Sequence, residues 1–247
     1  MTPITLESIT QNELKPPRIV VYGPAGVGKT TFGAGAPAPV FVQTEDGLGS
    51  IRANAFPLAK SYDDVMGALN VLLNDEHEFK TVVLDSLDWL EPLVWAATCK
   101  RLNVASIEAP GYGKGYVEAS QEWRRLFDTL TMLRDKRGMI VILIAHSQVS
   151  RVDDPTTAPY DSMGLKLNKR AAAIAEEYSD VIGFATFEIF TKSEETKFGN
   201  TTNRAITSGK RVLRLTGSPA YTAKNRYGLP DAVNLDWTAF ESEFLKR

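Results

Sequence analysis

The chain has 247 residues, 43% hydrophobic and 23% charged, which suffices for the core of one sizeable α/β domain. Its net charge of −2 excludes a global basic field, so any nucleic-acid contact must come from local loops. One cysteine, Cys99, and two histidines, His77 and His146, exclude an internal disulfide and a cysteine-rich zinc site. Without a membrane-spanning apolar run or a signal-peptide pattern, the sequence indicates a soluble, reducing, cytoplasmic setting with no membrane partner.

From residue 18 onward, apolar patterning predicts strands that alternate with helices. Residues 1–17 are polar and are interpreted as an N-terminal lead-in, and residues 18–247 as a single domain. Five strands are predicted, at residues 18–22, 40–44, 80–85, 139–145 and 181–190. Helices are predicted after residue 31, at 61–74, at about 87–103, up to residue 137 and at 169–177. This alternation favours a mostly parallel sheet with helices on both faces.

Three stretches are predicted to lack regular structure. Residues 105–117 are rich in glycine, residues 147–168 are polar and contain two prolines, and residues 193–210 form a polar excursion before a further strand at 211–216. Loops of such length are usually functional or mobile.

Residues 23–30, GPAGVGKT, match the pattern G-x-x-x-x-G-K-[ST] between a predicted strand and a predicted helix, the setting of a phosphate-binding loop. The glycines let backbone N–H groups approach phosphate oxygens. Lys29 would reach the β- and γ-phosphates of ATP, and Thr30 would ligate Mg²⁺. The residues expected to bind the nucleotide are Gly23, Pro24, Ala25, Gly26, Val27, Gly28, Lys29, Thr30 and Thr31. The alternative interpretation is a bare glycine turn.

Polar residues end three of the predicted strands, at the edge where parallel sheets bind ligands. Asp85 is expected to hold Mg²⁺ through water, although it could simply cap the next helix. Glu45 is expected to polarise the attacking water, with Asp46 as its competitor and a plain turn as the alternative. His146 could hydrogen-bond the γ-phosphate or be merely structural.

Far downstream, the segment KNRYG carries two cations, Lys224 and Arg226, at alternate positions. In an extended segment both point the same way, which suits the bracketing of a phosphate. An arginine from a neighbouring subunit can stabilise charge during phosphoryl transfer. A solvated basic turn is the alternative.

Taken together, these residues resemble the RecA-type ATPase core over about residues 18 to 237. The motifs occur in that family's order: GPAGVGKT, QTEDG, VVLDS, LIAHSQ and KNRYG. The last is similar to an element of RadA-type ring ATPases whose lysine and arginine act across a subunit interface. The chain's length, its YGKGY loop and its ending KNRYGLPDAVNLDW are most similar to phage RecA-like nucleotide-binding proteins, including single-strand annealing proteins of the Sak type.

The resemblance implies a RecA-like P-loop NTPase fold of the α/β class. Its mostly parallel sheet would have the strand order 5-1-4-3-2, with helices on both faces and a C-terminal antiparallel strand extension at about residues 181–237. It also implies an ATP hydrolase in which Lys29, Glu45, His146, Lys224 and Arg226 act in catalysis. Thr30 and Asp85 would hold Mg²⁺. Composite sites imply a homo-oligomer, either a ring or a filament.

Two DNA-binding loops are implied as well. The first would use Tyr112, Lys114 and Tyr116, and the second Arg151, Lys166 and Lys169, because stacking aromatics and backbone-tracking cations bind single strands. The expected function is a Mg-ATP-dependent single-stranded-DNA-binding ATPase of phage recombination and annealing, in the cytoplasm of a bacterial host, with a single-strand binding protein as a further partner. The alternatives are a RecA-type helicase or helicase loader, and a nucleotide-gated protein-interaction module without a DNA role.

Overall fold

The computed structural model describes residues 5–9, 11, 13–195 and 201–246. After a single 3₁₀ turn at Leu6–Ser8, the elements run β1 (Arg18–Gly23), α1 (Lys29–Ala34), β2 (Pro39–Gln43), β3 (Asn54–Ala55), α2 (Tyr62–Asn74), β4 (Thr81–Asp85), α3 (Leu87–Leu102), α4 (Lys114–Arg137), β5 (Ile140–Val152), β6 (Tyr160–Leu165), α5 (Lys169–Tyr178), β7 (Val181–Glu195), β8 (Thr201–Arg214), β9 (Lys224–Asn225), β10 (Ala232–Asn234) and α6 (Trp237–Phe244).

The sheet is mostly parallel, as the alternation of strands and helices predicts. Its strands follow one another in the order β10-β8-β7-β1-β5-β4-β2-β3. The five strands of the sequence prediction are β1, β2, β4, β5 and β7, and they occupy the middle of this order as β7-β1-β5-β4-β2. The complete order differs from the predicted 5-1-4-3-2, because β8 and β10 extend one edge as antiparallel strands and β3 pairs in parallel at the other.

Helices cover both faces of the sheet. Alternate residues of β1 point to opposite faces, as the two-residue period of a strand requires. Val20 and Tyr22 join a large apolar cluster beneath α2, α3, α4 and α5. Ile19 and Val21 join a smaller one beneath α1 and α6, which includes Phe32. The central parallel strands β1 and β4 are therefore buried on both faces, and their ends are the places accessible for chemistry.

Two of the three predicted loops are largely strands, so those predictions were wrong. Residues 147–152 continue β5 beyond the sheet and pair antiparallel with β6 from Ser147↔Leu165 to Val152↔Tyr160. Residues 193–195 and 201–210 extend β7 and β8 into a long hairpin, with residues 196–200 outside the described residues. Both segments are rich in polar residues, so they lack the apolar alternation on which the prediction depends.

The glycine-rich stretch at 105–117 is irregular only in its first part, because α4 already begins at Lys114. Gly111, Tyr112 and Gly113 have left-handed φ values of 71°, 50° and 69°, which turn the chain into the helix. A Cβ at Gly115 would lie 1.8 Å from the carbonyl oxygen of Ile107, so only glycine fits in this first helical turn.

Candidate nucleotide site

The loop between β1 and α1 has the backbone that its glycines predict. Gly26 and Gly28 have φ values of 73° and 108°, which side chains rarely adopt. A Cβ at Gly23 would lie 2.1 Å from the carbonyl oxygen of Ala185, so the loop begins in close contact with β7. Val27 is fully buried and anchors the loop in the core, whereas Pro24, Ala25 and Thr31 are exposed. The loop is thus held at both ends and open in the middle.

Lys29 is buried against this loop. Its Nζ donates hydrogen bonds to the carbonyl oxygens of Gly23 and Pro24, at 3.1 and 2.9 Å. Burial lowers the pKa of Lys29, and the carboxylates of Asp85, Asp88 and Glu45 oppose that shift. A cation bound only by carbonyl oxygens can exchange these contacts for phosphate oxygens without breaking an ion pair.

Thr30 and Asp85 meet at the end of β4. The Thr30 hydroxyl donates to Asp85 Oδ2 at 2.8 Å, while Asp85 Oδ1 is buried and has no hydrogen-bond partner among the described residues. Burial raises the pKa of Asp85, and the Thr30 hydrogen bond and Lys29 oppose the rise. Buried oxygens without partners are costly unless a ligand completes them. A hydroxyl and a carboxylate in contact fit a Mg²⁺ ion that binds with nucleotide phosphates.

The end of β5 is tied to α3 by an interaction that the sequence analysis missed. Asp88, in the first turn of α3, accepts a hydrogen bond from the backbone N–H of His146 at 3.0 Å, and its Oδ2 lies 2.9 Å from His146 Nδ1. Because a carboxylate only accepts, Nδ1 carries the proton and Nε2 is the ring nitrogen left for a ligand. Asp88 therefore orients the imidazole, although its position in the sequence suggests nothing beyond a helix start.

Glu45 and His146 line the same cavity as the loop, whereas Asp46 is not among the residues that line it. Burial raises the pKa of Glu45, and nearby His146 opposes the rise. The cavity has a volume of about 300 Å³ and is lined by Gly26, Gly28, Lys29, Thr30, Thr31, Glu45, Gly47, Ile51, Asp85, His146 and Arg211. A larger cavity of about 510 Å³ between α2, α3 and α4 contains none of these residues. The smaller cavity is the candidate nucleotide site because the residues expected to bind phosphate and Mg²⁺ line it.

Arg211 is the second residue that the sequence analysis missed. It lies in β8, far along the chain, and reaches the cavity because β8 is separated from β1 only by β7. Nothing in its local sequence distinguishes it from a solvated cation on a strand.

Lys224 and Arg226 lie on the opposite side of the sheet, where the parallel strands begin. We call this side the amino edge, and the side where the parallel strands end, next to the phosphate-binding loop, the carboxyl edge. Lys224 pairs with Ile182 at the start of β7, and its Nζ donates to the carbonyl oxygen of Glu176 at 2.6 Å. Arg226 Nη1 lies 3.2 Å from Asp180 Oδ1, and Asp180 is held more closely by Arg18. These two cations are about one strand length, roughly 20 Å, from the phosphate-binding loop of their own chain.

The residues expected to bind DNA are scattered over two segments. Tyr112 is fully exposed, and Lys114 follows it at the start of α4. Tyr116 is not free to stack on a base, because its hydroxyl donates to Glu108 and its ring packs edge-on against Trp95. In the second segment the cations are exposed at three places: Arg151 on the β5–β6 hairpin, Lys166 just after it and Lys169 at the start of α5.

A mostly parallel sheet, a glycine loop after its central strand β1 and a contact between Thr30 and Asp85 at the end of β4 define the class of P-loop ATPases. The comparison with family models agrees: residues 15–227 match the family described as an AAA domain, and the chain belongs to that family. Membership implies ATP binding, typically with Mg²⁺. The search of curated proteins returned no match. In the described part of the chain, every helix is too short or too polar to cross a membrane.

Proposed function

We propose that this protein is a RecA-type, Mg-ATP-dependent oligomeric ATPase that binds single-stranded DNA in phage recombination and annealing. The single observation that carries the oligomeric part is the separation of the charged groups. The phosphate-binding loop lies at one edge of the sheet and the Lys224–Arg226 pair at the other. The loop and the Lys224–Arg226 pair can form one site only if a second copy of the chain places its amino edge against the loop.

Within one subunit, each residue around the cavity has a separate role in hydrolysis. Lys29 binds the β- and γ-phosphates, and Thr30 and Asp85 would hold Mg²⁺, which supplies positive charge to the phosphates when bound. Glu45 takes a proton from the attacking water, a role that suits a carboxylate whose pKa burial raises. His146, oriented by Asp88, would hydrogen-bond the γ-phosphate through Nε2.

Lys224 and Arg226 would complete the site of the neighbouring subunit. Arg226 is the exposed member of its cluster, with 51% of its side chain accessible, whereas the side chain of Arg18 is 16% accessible. A guanidinium that contacts the transferred phosphoryl group acts mainly in the transition state. Arg226→Ala should therefore bind ATP almost normally and hydrolyse it poorly.

The test is complementation by mixing. Arg226→Ala and Lys29→Ala should each be inactive alone, but a mixed assembly contains interfaces with an intact Lys29 on one side and an intact Arg226 on the other. ATP turnover should partly return. The matched control mixes Lys29→Ala with Glu45→Gln: both residues belong to the same half of the site, so activity should stay absent. No recovery in the first mixture, with subunit exchange shown independently, would rule out action across subunits.

The DNA-binding proposal depends on exposed side chains on long segments. Tyr112 is fully exposed at a turn where φ is positive, so its ring is accessible for stacking on a base. Lys114 is two residues away, and Lys166 lies just beyond the β5–β6 hairpin. A ring beside cations is the combination that single-strand binding requires.

Binding of a labelled oligothymidylate, measured by fluorescence anisotropy over a range of salt with and without ATP, tests this proposal. Tyr112→Ala should weaken binding by about 1–3 kcal/mol if the ring stacks on a base. Lys114→Ala and Lys166→Ala should weaken it and flatten the salt dependence. Lys136→Ala, at the other end of α4, is the control. Equal affinity in all variants would favour a protein-interaction module instead, and unwinding of a fork substrate by a hexamer would favour a helicase.

A further inference from the structure

Arg211 lies next to the phosphate-binding loop, but the hydrolysis mechanism proposed for this cavity gives it no role. Its position is fixed by the sheet: Arg211 pairs with Phe187 of β7, and its carbonyl oxygen accepts a hydrogen bond from the backbone N–H of Leu235 at 3.0 Å. The β7–β8 register shifts between Phe187 and Ile189, next to this pair. Such irregularities re-aim a side chain relative to the regular ladder.

The guanidinium of Arg211 points at the loop. Its Nη1 lies 3.0 Å from the place where a Cβ at Gly28 would be, and its Cδ lies 3.8 Å from that place. It lines the cavity together with Lys29, Thr30 and Thr31. The ring of Phe187 lies under the guanidinium, 5.9 Å from its central carbon, and gives it a supporting surface.

The charge of Arg211 has no counterpart in the described residues, where none of the ion pairs includes it. The two acidic groups of the cavity face other residues: Asp85 accepts a hydrogen bond from Thr30, and Glu45 lies near His146. Arg226, by contrast, is paired with Asp180. An unpaired guanidinium beside backbone N–H groups and a lysine makes this side of the cavity strongly attractive to an anion.

We propose that Arg211 binds the α- and β-phosphates of the nucleotide held by its own chain. The loop backbone beside Gly28 cradles these two phosphates, whereas Lys29 extends to the γ-phosphate. Arg211 is thus a second, intrasubunit arginine, which holds ADP as well as ATP. The proposal rests on the nucleotide site of the proposed function, and it is independent of assembly and of DNA.

Equilibrium binding of MgADP and of a non-hydrolysable MgATP analogue, measured by titration calorimetry, tests this role without any turnover. Arg211→Ala should lower the affinity for both nucleotides by about tenfold, because a charge-assisted contact to a phosphate present in both is lost. Arg211→Lys keeps the charge but not the planar fork, so its affinity for each nucleotide should lie between those of the unmodified protein and of Arg211→Ala. AMP binding should show a smaller loss, since AMP lacks the β-phosphate.

Arg214→Ala is the matched control. Arg214 lies three residues along the same strand, with its guanidinium over the ring of Tyr221, and it does not line the cavity. Its removal should leave both affinities unchanged. The proposal is overturned if Arg211→Ala binds MgADP like the unmodified protein, if only the ATP analogue is affected, or if Arg214→Ala loses as much affinity. If the unmodified protein binds neither nucleotide, the nucleotide site itself fails, and Arg211 with it.

Discussion

The two edges of the parallel sheet both concentrate charge, but they satisfy it in opposite ways. At the carboxyl edge, Asp85 Oδ1 is buried without a hydrogen-bond partner in the described part of the chain, and Lys29 donates to carbonyl oxygens. At the amino edge, Asp180 is surrounded by guanidinium groups at 2.8 Å from Arg18, 3.2 Å from Arg226 and 3.6 Å from Arg134.

The difference shows what each edge lacks. Buried polar atoms without partners mark a site that a small ligand completes from within. The amino edge is internally paired, but Arg18, Arg134 and Arg226 are balanced by only two carboxylates, Asp180 and the Asp135 that Arg134 contacts at 3.0 Å, so these five groups keep a surplus positive charge. Arg134, Asp180, Arg226 and Tyr227 also line a cavity of about 350 Å³ there. Surplus charge at an open surface is suited to an anion carried by another molecule.

The largest expected effect comes from removing the cation of the carboxyl edge. Lys29→Ala should reduce ATP hydrolysis by orders of magnitude, because the charge that holds the β- and γ-phosphates is lost. The circular dichroism spectrum should be unchanged, since the hydrogen bonds of the Lys29 side chain go to two loop carbonyl oxygens and no core element depends on them. Turnover assays with Lys136→Ala as the control measure this. Normal turnover without Lys29 would mean that this edge is not the nucleotide site.

The second prediction identifies the base at the same edge. Glu45→Gln keeps the shape of the side chain but removes the proton acceptor, so hydrolysis should slow by about 10²–10⁴ while ATP binding persists. Because burial raises the pKa of Glu45, the acid limb of the pH–rate profile should lie above the ordinary glutamate value and disappear in the variant. Asp46→Asn is the comparison; if it alone slows hydrolysis, Asp46 is the base.

The third prediction concerns the stability of the amino edge. Asp180→Asn removes the carboxylate that Arg18 and Arg226 contact, so the free energy of unfolding at pH 7 should fall by roughly 2 kcal/mol, a value reduced for partial exposure. Burial raises the pKa of Asp180, but Arg18 outweighs it and the net pKa is lowered. The stabilisation is therefore present above the unfolded pKa, about 3.9, and is lost as the pH falls through the lower folded pKa.

Urea unfolding of both proteins at pH 7 and at pH 3 checks this sign. The difference in the free energy of unfolding should shrink at the lower pH. A difference that is the same at both pH values would show that the asparagine acts through packing and that the charge of Asp180 contributes little.

The smallest expected effect is that of Asp88, which acts through His146. Asp88→Asn should lower hydrolysis about tenfold and leave ATP binding unchanged, because the imidazole loses the carboxylate that sets its tautomer. A double-mutant cycle separates this from a general structural effect: in a His146→Ala background the same change should cost nothing further. Asp128→Asn, on the exposed face of α4, is the control. An equal loss in both backgrounds would mean that Asp88 does not act through the histidine.

Several features could be predicted from the sequence because their signals are local. The buried strands are continuous apolar runs, and GPAGVGKT carries its loop geometry in its own glycines. The central strands of the sheet and the loop after β1 can therefore be predicted from the sequence. The β5–β6 hairpin could not be predicted, since a strand that buries no face shows no alternation, as in Gln148 to Val152. Lys114 was expected in a loop because glycines flank it on both sides, and glycine is a poor helix former.

Site residues that come together from distant parts of the chain could not be predicted from the sequence. Thr30 and Asp85 follow from a motif and a strand end, but the contact of Arg211 with the loop depends on three neighbouring strands and a register shift. Asp88 stands at the start of a helix, where an acidic residue is ordinary. Its role becomes visible only when β5 brings His146 within 2.9 Å. The functions of Lys224 and Arg226 stay predictions, because they require a second copy.

One strand connects the nucleotide site to the outer surface. β5 runs without a break from Ile140 to Val152: its first half is clamped between β1 and β4, and beyond His146 it is free of the sheet and pairs only with β6. The hairpin is braced three residues beyond His146, where Met163 of β6, opposite Val149, exchanges backbone hydrogen bonds with Ala220 and Thr222. Only Ser150 to Val152 project past this brace, over about 10 Å. The strand that ends at the nucleotide site is thus joined, through one residue of β6, to the segment that leads to Lys224.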